Sequence, residues 1–203
     1  MVIRGGLGIK DWGLGIRVRS REVIRWGVAT LSALALALLT LPVDLDFSHA
    51  AASALAAQAC PADAKPANLN FTLKDLNNAD VKLTAFKGKV ILLDFWATWC
   101  GPCKVEIPWF IEFQNTYGKN GLQVVGVSVD DTLPKLKPYV AQMKMNYPVL
   151  QGLDHEDIQD AYGPLLGIPV TVLISRDAKI CMKHAGLHSK DAFDNQIKAL
   201  LGL

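Results

Sequence analysis

Two nearly continuous apolar runs dominate the middle of the chain: Val90-Ile-Leu-Leu-Asp-Phe-Trp96 and Leu122-Gln-Val-Val-Gly-Val-Ser-Val129. Runs of this length without strict alternation predict strands covered on both faces. Asp94 is the one charge inside the first run. Between them the pattern predicts a helix from Cys100 to about Tyr117. Pro102 is tolerated in its first turn, Pro108 is expected to kink it, and Gly118 to Gly121 ends it. Upstream, alternation on either side of Asn77-Asn78-Ala79-Asp80 predicts a β-hairpin over 71–84. Downstream, the pattern predicts a helix over 134–145 containing Pro138, a short strand at 147–150 and a short helix over 156–162. A second hairpin follows, 171–175 with 179–184, turning at Arg176-Asp177. An amphipathic helix over 191–201 closes the chain, with Phe193, Ile197, Leu200 and Leu201 at helical spacing and Gly202 as its stop. Strands alternating with helices, then a terminal hairpin and helix, imply an α/β fold: a central mixed sheet covered by helices on both faces.

The first 50 residues follow a different pattern. Arg17 to Arg25 is basic and leads into Trp26–Leu41, 16 residues without a charge. A basic flank, a short apolar run and a small-residue site such as Ser48-His49-Ala50 describe an export signal. Cleavage after Ala50 and retention as a signal-anchor both remain open, since 16 residues is short of the roughly 20 that span a bilayer comfortably. The basic flank stays cytoplasmic by the positive-inside rule, so the body faces the outside of the cytoplasmic membrane. Residues 51–69 are Pro/Ala-rich and aperiodic and read as a linker; residues 70–203 form the folded domain.

Charge sharpens that division. Met1 to Arg25 holds six Lys/Arg against Asp11 and Glu22, whereas from Ala51 onward 15 Lys/Arg balance 15 Asp/Glu. The body therefore lacks the basic footprint of a nucleic-acid binder.

The candidate chemistry is Cys100-Gly101-Pro102-Cys103. A free thiol has a pKa of about 8.5 and is mostly inert at neutral pH. At a helix N-terminus, unpaired N–H groups and the macrodipole favour the thiolate. Cys100 is the expected attacking thiolate, and Cys103, one turn in and less exposed, the resolving thiol that breaks the mixed disulfide. A zinc site would need two further Cys or His at suitable spacing, and none stands there, so no metal and no cofactor is expected. Asp94, six residues before Cys100, is a buried carboxyl with an expected raised pKa and can accept the proton of Cys103. Glu106, one helical turn past Cys103, is a second candidate for that role, although its helix position alone favours an exposed residue. Ile168-Pro169 precedes the penultimate strand; residue statistics alone favour a trans bond there.

Together these residues resemble the thioredoxin superfamily. Asp94-Phe-Trp-Ala-Thr-Trp-Cys-Gly-Pro-Cys-Lys104 matches its signature nearly residue for residue. The early hairpin, Lys104-Val-Glu-Ile-Pro108, Tyr147-Pro-Val149 and the exported N-terminus are similar to the TlpA, ResA and CcmG/DsbE-type extracytoplasmic thiol–disulfide oxidoreductases. The resemblance implies a thioredoxin fold with an added N-terminal hairpin. It implies a cis bond before Pro169, with Ile168 and Pro169 beside Cys100 offering backbone hydrogen bonds to substrate, and Trp99, Gly101 and Pro102 on the same substrate face. It places Glu106 where ResA-type reductases carry an active-site carboxylate, and Asp94 where thioredoxin carries its buried acid. Having both, with Gly-Pro between the cysteines, departs from much of the subgroup and implies a reducing couple. The implied substrates are protein disulfides, in cytochrome c maturation or on metallochaperone-type partners. A reductant outside the cytoplasm must be recharged, which implies a membrane electron donor of CcdA or DsbD type.

Three other functions compete: an oxidant or isomerase of exported proteins, a peroxiredoxin-like antioxidant enzyme, and a non-catalytic binding module. A peroxiredoxin needs Thr three residues before its reactive Cys, where Ala97 stands, and an intact Cys-x-x-Cys argues against the binding module. Cys60 and Cys181 make the cysteine count even in a compartment where disulfides persist. A structural bridge between them and two free thiols both remain open.

Overall fold

The computed structural model describes residues 60–163 and 165–203. The expected export signal lies outside the described residues. Among the described residues no helix is long and apolar enough to cross a membrane.

Seven strands form one mixed sheet in the order β2-β1-β5-β4-β3-β6-β7. They are β1 Thr72–Asp75, β2 Asp80–Lys82, β3 Val90–Trp96, β4 Leu122–Ser128, β5 Val149–Gln151, β6 Val170–Ile174 and β7 Ile180–Ala185. β3 pairs with β4, and β4 with β5, in parallel. β6 runs antiparallel to β3, and β7 to β6. The β1–β2 hairpin attaches to β5 antiparallel, on the opposite side of the sheet from β7. The helices are α1 Gly101–Tyr117, α2 Leu133–Met143, α3 Glu156–Ala161 and α4 Lys190–Leu201.

The continuous apolar runs take the centre of the sheet, and every residue of β3 and β4 is buried. Side chains alternate across a strand. Val90, Leu92 and Trp96 join Ile107, Phe110 and Phe113 of α1, Leu136 and Val140 of α2, and Phe193, Ile197 and Leu200 of α4 in one cluster. Ile91, Leu93 and Phe95 face a second cluster holding Leu69, Leu73, Leu83 and Ile158 of α3. Asp94 takes its place by alternation on the first face, between Leu92 and Trp96.

The expected elements are present, with boundaries moved by at most two residues. Pro108 and Pro138 sit inside helices that run through them. α1 ends in a short 3-10 turn, Gly118–Asn120, closed by Gly121 at φ 103°. That left-handed backbone is the conformation glycine adopts most cheaply. At the other edge of the domain, residues 65–67 run along the start of β7. Ile180 donates to the Lys65 carbonyl (2.8 Å) and Ala67 to the Ala178 carbonyl (2.8 Å), and Cys60 is joined to Cys181 by a disulfide.

Candidate active site

β3 delivers the chain to the reactive cysteines through a tight turn. The Cys100 N–H donates to the Ala97 carbonyl at 3.1 Å. Cys100 is then the N-cap of α1, and its Sγ accepts the Cys103 N–H at 3.2 Å. An N-cap acceptor satisfies one of the orphan donors of a helix start. Here the acceptor is the sulfur itself. Cys100 and Cys103 are joined as a disulfide with Cα atoms 5.3 Å apart. Both are almost fully buried, at 2% and 1% exposure, so the expected difference in exposure is absent in this oxidised form. Gly101 and Pro102 lie at the surface, and Trp99 is 57% exposed.

The bond before Pro169 is cis. The residue statistics alone favoured trans; the tertiary setting of β6 overrides them. Pro169 is buried and its carbonyl accepts the Gly186 N–H at 2.8 Å. Half-buried Ile168 packs against the core cluster that holds both cysteines. Its other side opens on a groove of about 320 Å³, lined by Leu166, Gly167 and Val170 on one flank and by Ala185 and Gly186 on the other. Leu166 there is 97% exposed.

Two carboxyls lie in the interior on the same side of the sheet. Asp94 is 1% exposed. Its neighbour across β3–β6 is Thr171, whose hydroxyl donates to Oδ1 at 3.4 Å. Burial holds the Asp94 carboxyl well above the usual carboxylate range, and the nearby Glu106 pushes it further, while the Thr171 bond pulls slightly back. Glu106 is also 1% exposed, not the exposed residue its helix position favoured. The loop between β7 and α4 covers it, and the His188 N–H donates to its Oε1 at 3.0 Å. Its Oε2 is buried without a hydrogen-bond partner among the described residues. Burial raises the Glu106 pKa from 4.5 to about 7, against the lowering effect of the His188 bond. Carboxyls whose proton affinity is raised by burial are better matched to exchanging a proton with a thiol than ordinary surface carboxylates are.

The structure adds residues that the sequence reading assigned no role. Asp131, 1% exposed, accepts from the Thr98 N–H (2.6 Å), the Thr98 hydroxyl (2.6 Å) and the Ser128 hydroxyl (2.9 Å), and pairs with Lys135 at 2.7 Å. Asp130 accepts the Trp99 indole N–H at 3.0 Å. Nothing local in the sequence joins these aspartates to the cysteines. The signal that could have found them is the parallel β3–β4 pairing, which sets Trp96 opposite Ser128 and brings the two strand ends together. Among the described residues no three His, Cys, Asp or Glu side chains converge as metal ligands.

Comparison with known proteins agrees with this geometry. The AhpC/TSA family profile matches residues 64–182, which include Cys100, Cys103, Glu106 and Pro169. The thiol–disulfide oxidoreductase ResA of Bacillus thuringiensis subsp. konkukian is 31% identical over 131 residues, covering 64% of this chain and 75% of that protein. A crystal structure of a thiol:disulfide interchange protein DsbE from Chlorobium tepidum is 33% identical, with a TM-score of 0.63, and covers 68% of this chain and 98% of its own. A second Chlorobium tepidum structure, a thioredoxin-family thiol:disulfide interchange protein, is 29% identical with a TM-score of 0.62, covering 70% and 99%. The chain therefore belongs to the AhpC/TSA family and is a thiol–disulfide oxidoreductase of the ResA and DsbE type.

Proposed function

We propose that the chain is a reductase of protein disulfides that works outside the cytoplasm. The observation that carries this reading is Cys100 capping α1 through its own sulfur while two carboxyls of raised proton affinity, Asp94 and Glu106, lie buried in the same interior. In the reduced enzyme the Cys100 thiolate attacks one sulfur of a substrate disulfide. A Cys100–substrate disulfide forms and one substrate thiolate leaves. Cys103 then gives its proton to a buried carboxylate, Asp94 or, as the second candidate, Glu106, each of which becomes the neutral acid on accepting it, and the Cys103 thiolate attacks the Cys100 sulfur. The second substrate thiolate leaves and the Cys100–Cys103 disulfide closes. The substrate has gained two electrons and the enzyme has lost two. The exposed faces of Trp99, Gly101 and Pro102, with Ile168 and Pro169, form the surface that receives the substrate.

The basic flank and apolar run of residues 1–50 support an extracytoplasmic location, cleaved or anchored. In an oxidising compartment the spent disulfide needs a dithiol donor, which we assign to a membrane protein of CcdA or DsbD type. Kinship with ResA and DsbE supports substrates in cytochrome c maturation or on metallochaperone-type partners.

Reduction potential tests the direction. Equilibration with glutathione buffers is expected to give a strongly reducing couple, near about −270 mV; a value near about −120 mV would make the protein an oxidant of exported proteins. A Cys103→Ser variant is expected to stall substrates as mixed disulfides on Cys100, which identifies them. A peroxidase role finds no support at Thr98: it stands two residues before Cys100, and its hydroxyl is held by Asp131.

A further inference from the structure

We infer that Asp131 is a positioning residue for the Cys100 thiolate, acting through the turn that carries that cysteine to the end of α1. The turn runs Ala97-Thr98-Trp99-Cys100 and is closed by the Cys100 N–H on the Ala97 carbonyl at 3.1 Å. Thr98 and Trp99 are its two central residues. Consecutive aspartates from the β4–α2 connection hold both. Asp131 takes the backbone N–H and the hydroxyl of Thr98, each at 2.6 Å, and Asp130 takes the Trp99 indole. The two segments meet because β3 and β4 are parallel neighbours that end together. Trp96 is opposite Ser128, and the Val129 N–H donates to the Trp96 carbonyl at 2.9 Å.

Asp131 is itself fixed. Besides Thr98 it accepts from Ser128 and pairs with Lys135 at 2.7 Å. It is 1% exposed, and its bonds to Thr98 and Ser128 are made away from competing water, while Lys135 reaches it from the surface. Such a fully connected buried carboxylate is rigid, and removing one partner leaves the others unsatisfied. What the rigidity serves is the cap. In the oxidised form the Cys100 sulfur lies 3.2 Å from the Cys103 N–H, and once the disulfide opens the turn is what remains to keep Cys100 at that place. A thiolate gains from a helix start within the first turn and loses that gain steeply with displacement. Asp131 does not touch the reacting sulfur; it keeps the sulfur where the helix can hold its charge.

Two routes from Asp131 to Cys100 predict opposite signs. Loss of a nearby negative charge would by itself favour the thiolate and lower its pKa. Loss of the turn geometry weakens the cap and raises it. The inference rests on Cys100 being the attacking thiol, so the experiment reads which cysteine reacts. The full chain is reduced, and the rate of iodoacetamide alkylation is followed from pH 4 to 10, with peptide mapping of the labelled residue. In Asp131→Ala the Cys100 midpoint is expected to rise by about one unit, with alkylation at neutral pH about tenfold slower. Asp131→Asn keeps an acceptor for the Thr98 N–H and is expected to recover most of the rate. An unchanged or lowered midpoint in Asp131→Ala overturns the inference, as does an Asn variant as slow as the Ala variant. Should Asp131→Ala not fold, Thr98→Val removes the hydroxyl bond alone. It is expected to raise the midpoint by a smaller amount, and an unshifted profile overturns the inference. Labelling at Cys103 ahead of Cys100 would instead remove the assignment of the nucleophile, and this inference with it.

Discussion

Asp94 and Gly126 stand opposite each other across the parallel β3–β4 pair, and the bare backbone at Gly126 lets two aromatic rings pack against it. A Cβ at Gly126 would come within 2.8 Å of the Trp96 indole nitrogen and 3.4 Å of the Tyr147 ring. Those two rings occupy the space where a side chain next to Asp94 would otherwise lie. Both the Trp96 N–H and the Tyr147 hydroxyl are buried without a hydrogen-bond partner among the described residues. Burial, then the charges of Asp94 and Tyr139, hold the Tyr147 hydroxyl well above the ordinary tyrosine range. Gly126→Ala is therefore an overpacking change beside the proposed proton acceptor. We expect it to cost about 1–3 kcal/mol in denaturant unfolding and to slow resolution by Cys103. Unchanged stability and unchanged exchange would show that the site relaxes freely, contrary to the contact.

Asp94 itself gives a sharper separation of steps. Asp94→Asn keeps the shape and removes the proton acceptor. The first step, attack by Cys100, is expected to keep its rate. The second, proton loss from Cys103 and closure of the disulfide, is expected to slow by about 10²-fold, the low end for a positioned acid–base group. Single-turnover traces with a peptide disulfide, quenched in acid, resolve the mixed disulfide from the final products. Equal rates for both steps in wild type and variant would remove Asp94 from the mechanism.

The sheet centre, α1 and the reactive pair were legible because their signals are local. Val90–Trp96 and Leu122–Ser128 are continuous apolar runs, and glycines close α1. Asp94 announced itself as a charge inside such a run. Glu106 did not, because its burial comes from the β7–α4 loop, and His188 reaches it across 82 residues of sequence. Asp131 was silent for the same reason: it meets Thr98 across 33 residues, a proximity that strand pairing creates. Thr171 gave no sign of a role as one residue of an apolar strand, and its bond to Asp94 follows from the antiparallel β3–β6 register. The cis bond at Pro169 came from the family resemblance and not from the dipeptide, since tertiary contacts select the isomer.

The raised pKa of Glu106 makes stability depend on pH in a definite direction. Unfolded, the carboxyl titrates near 4.5; folded, near 7. Between those values the folded state holds a proton that the unfolded state has released. Stability therefore falls as pH rises through this window, by at most ~1.4 kcal/mol per unit from this group. Below 4.5 both states are protonated and the effect is absent. Glu106→Gln keeps an acceptor for the His188 N–H and cannot ionise. It is expected to match wild type at pH 4 and to exceed it above pH 7, by up to roughly 3 kcal/mol. Urea unfolding of the two proteins across that range measures the difference. A difference that is constant with pH would mean that Glu106 ionises as freely in the fold as outside it.

The bridge between Cys60 and Cys181 acts on the fold and not on the chemistry. It closes a separation of 121 residues, tying the segment ahead of the domain to β7. Cys181 lies near the start of that strand, whereas the residues beside Pro169 lie at its far end: Ala185, the last of the strand, pairs with Val170, and Gly186 donates to the Pro169 carbonyl. The tether and the site thus use opposite ends of one strand. Constraining so long a loop in the unfolded chain is worth about 2–5 kcal/mol. Replacing both cysteines by serine is expected to lower unfolding free energy by that amount and to free residues 65–67 from the β7 edge, seen as faster amide exchange at Ala67 and Ile180. The rate of disulfide exchange at Cys100 is expected to stay within twofold of wild type. Labelling decides the premise: in a Cys100→Ala/Cys103→Ala background, two alkylated thiols without reductant would mean that the bridge does not form. A drop in Cys100 exchange in the serine variant, with stability unchanged, would mean that the bridge serves the site instead of the fold.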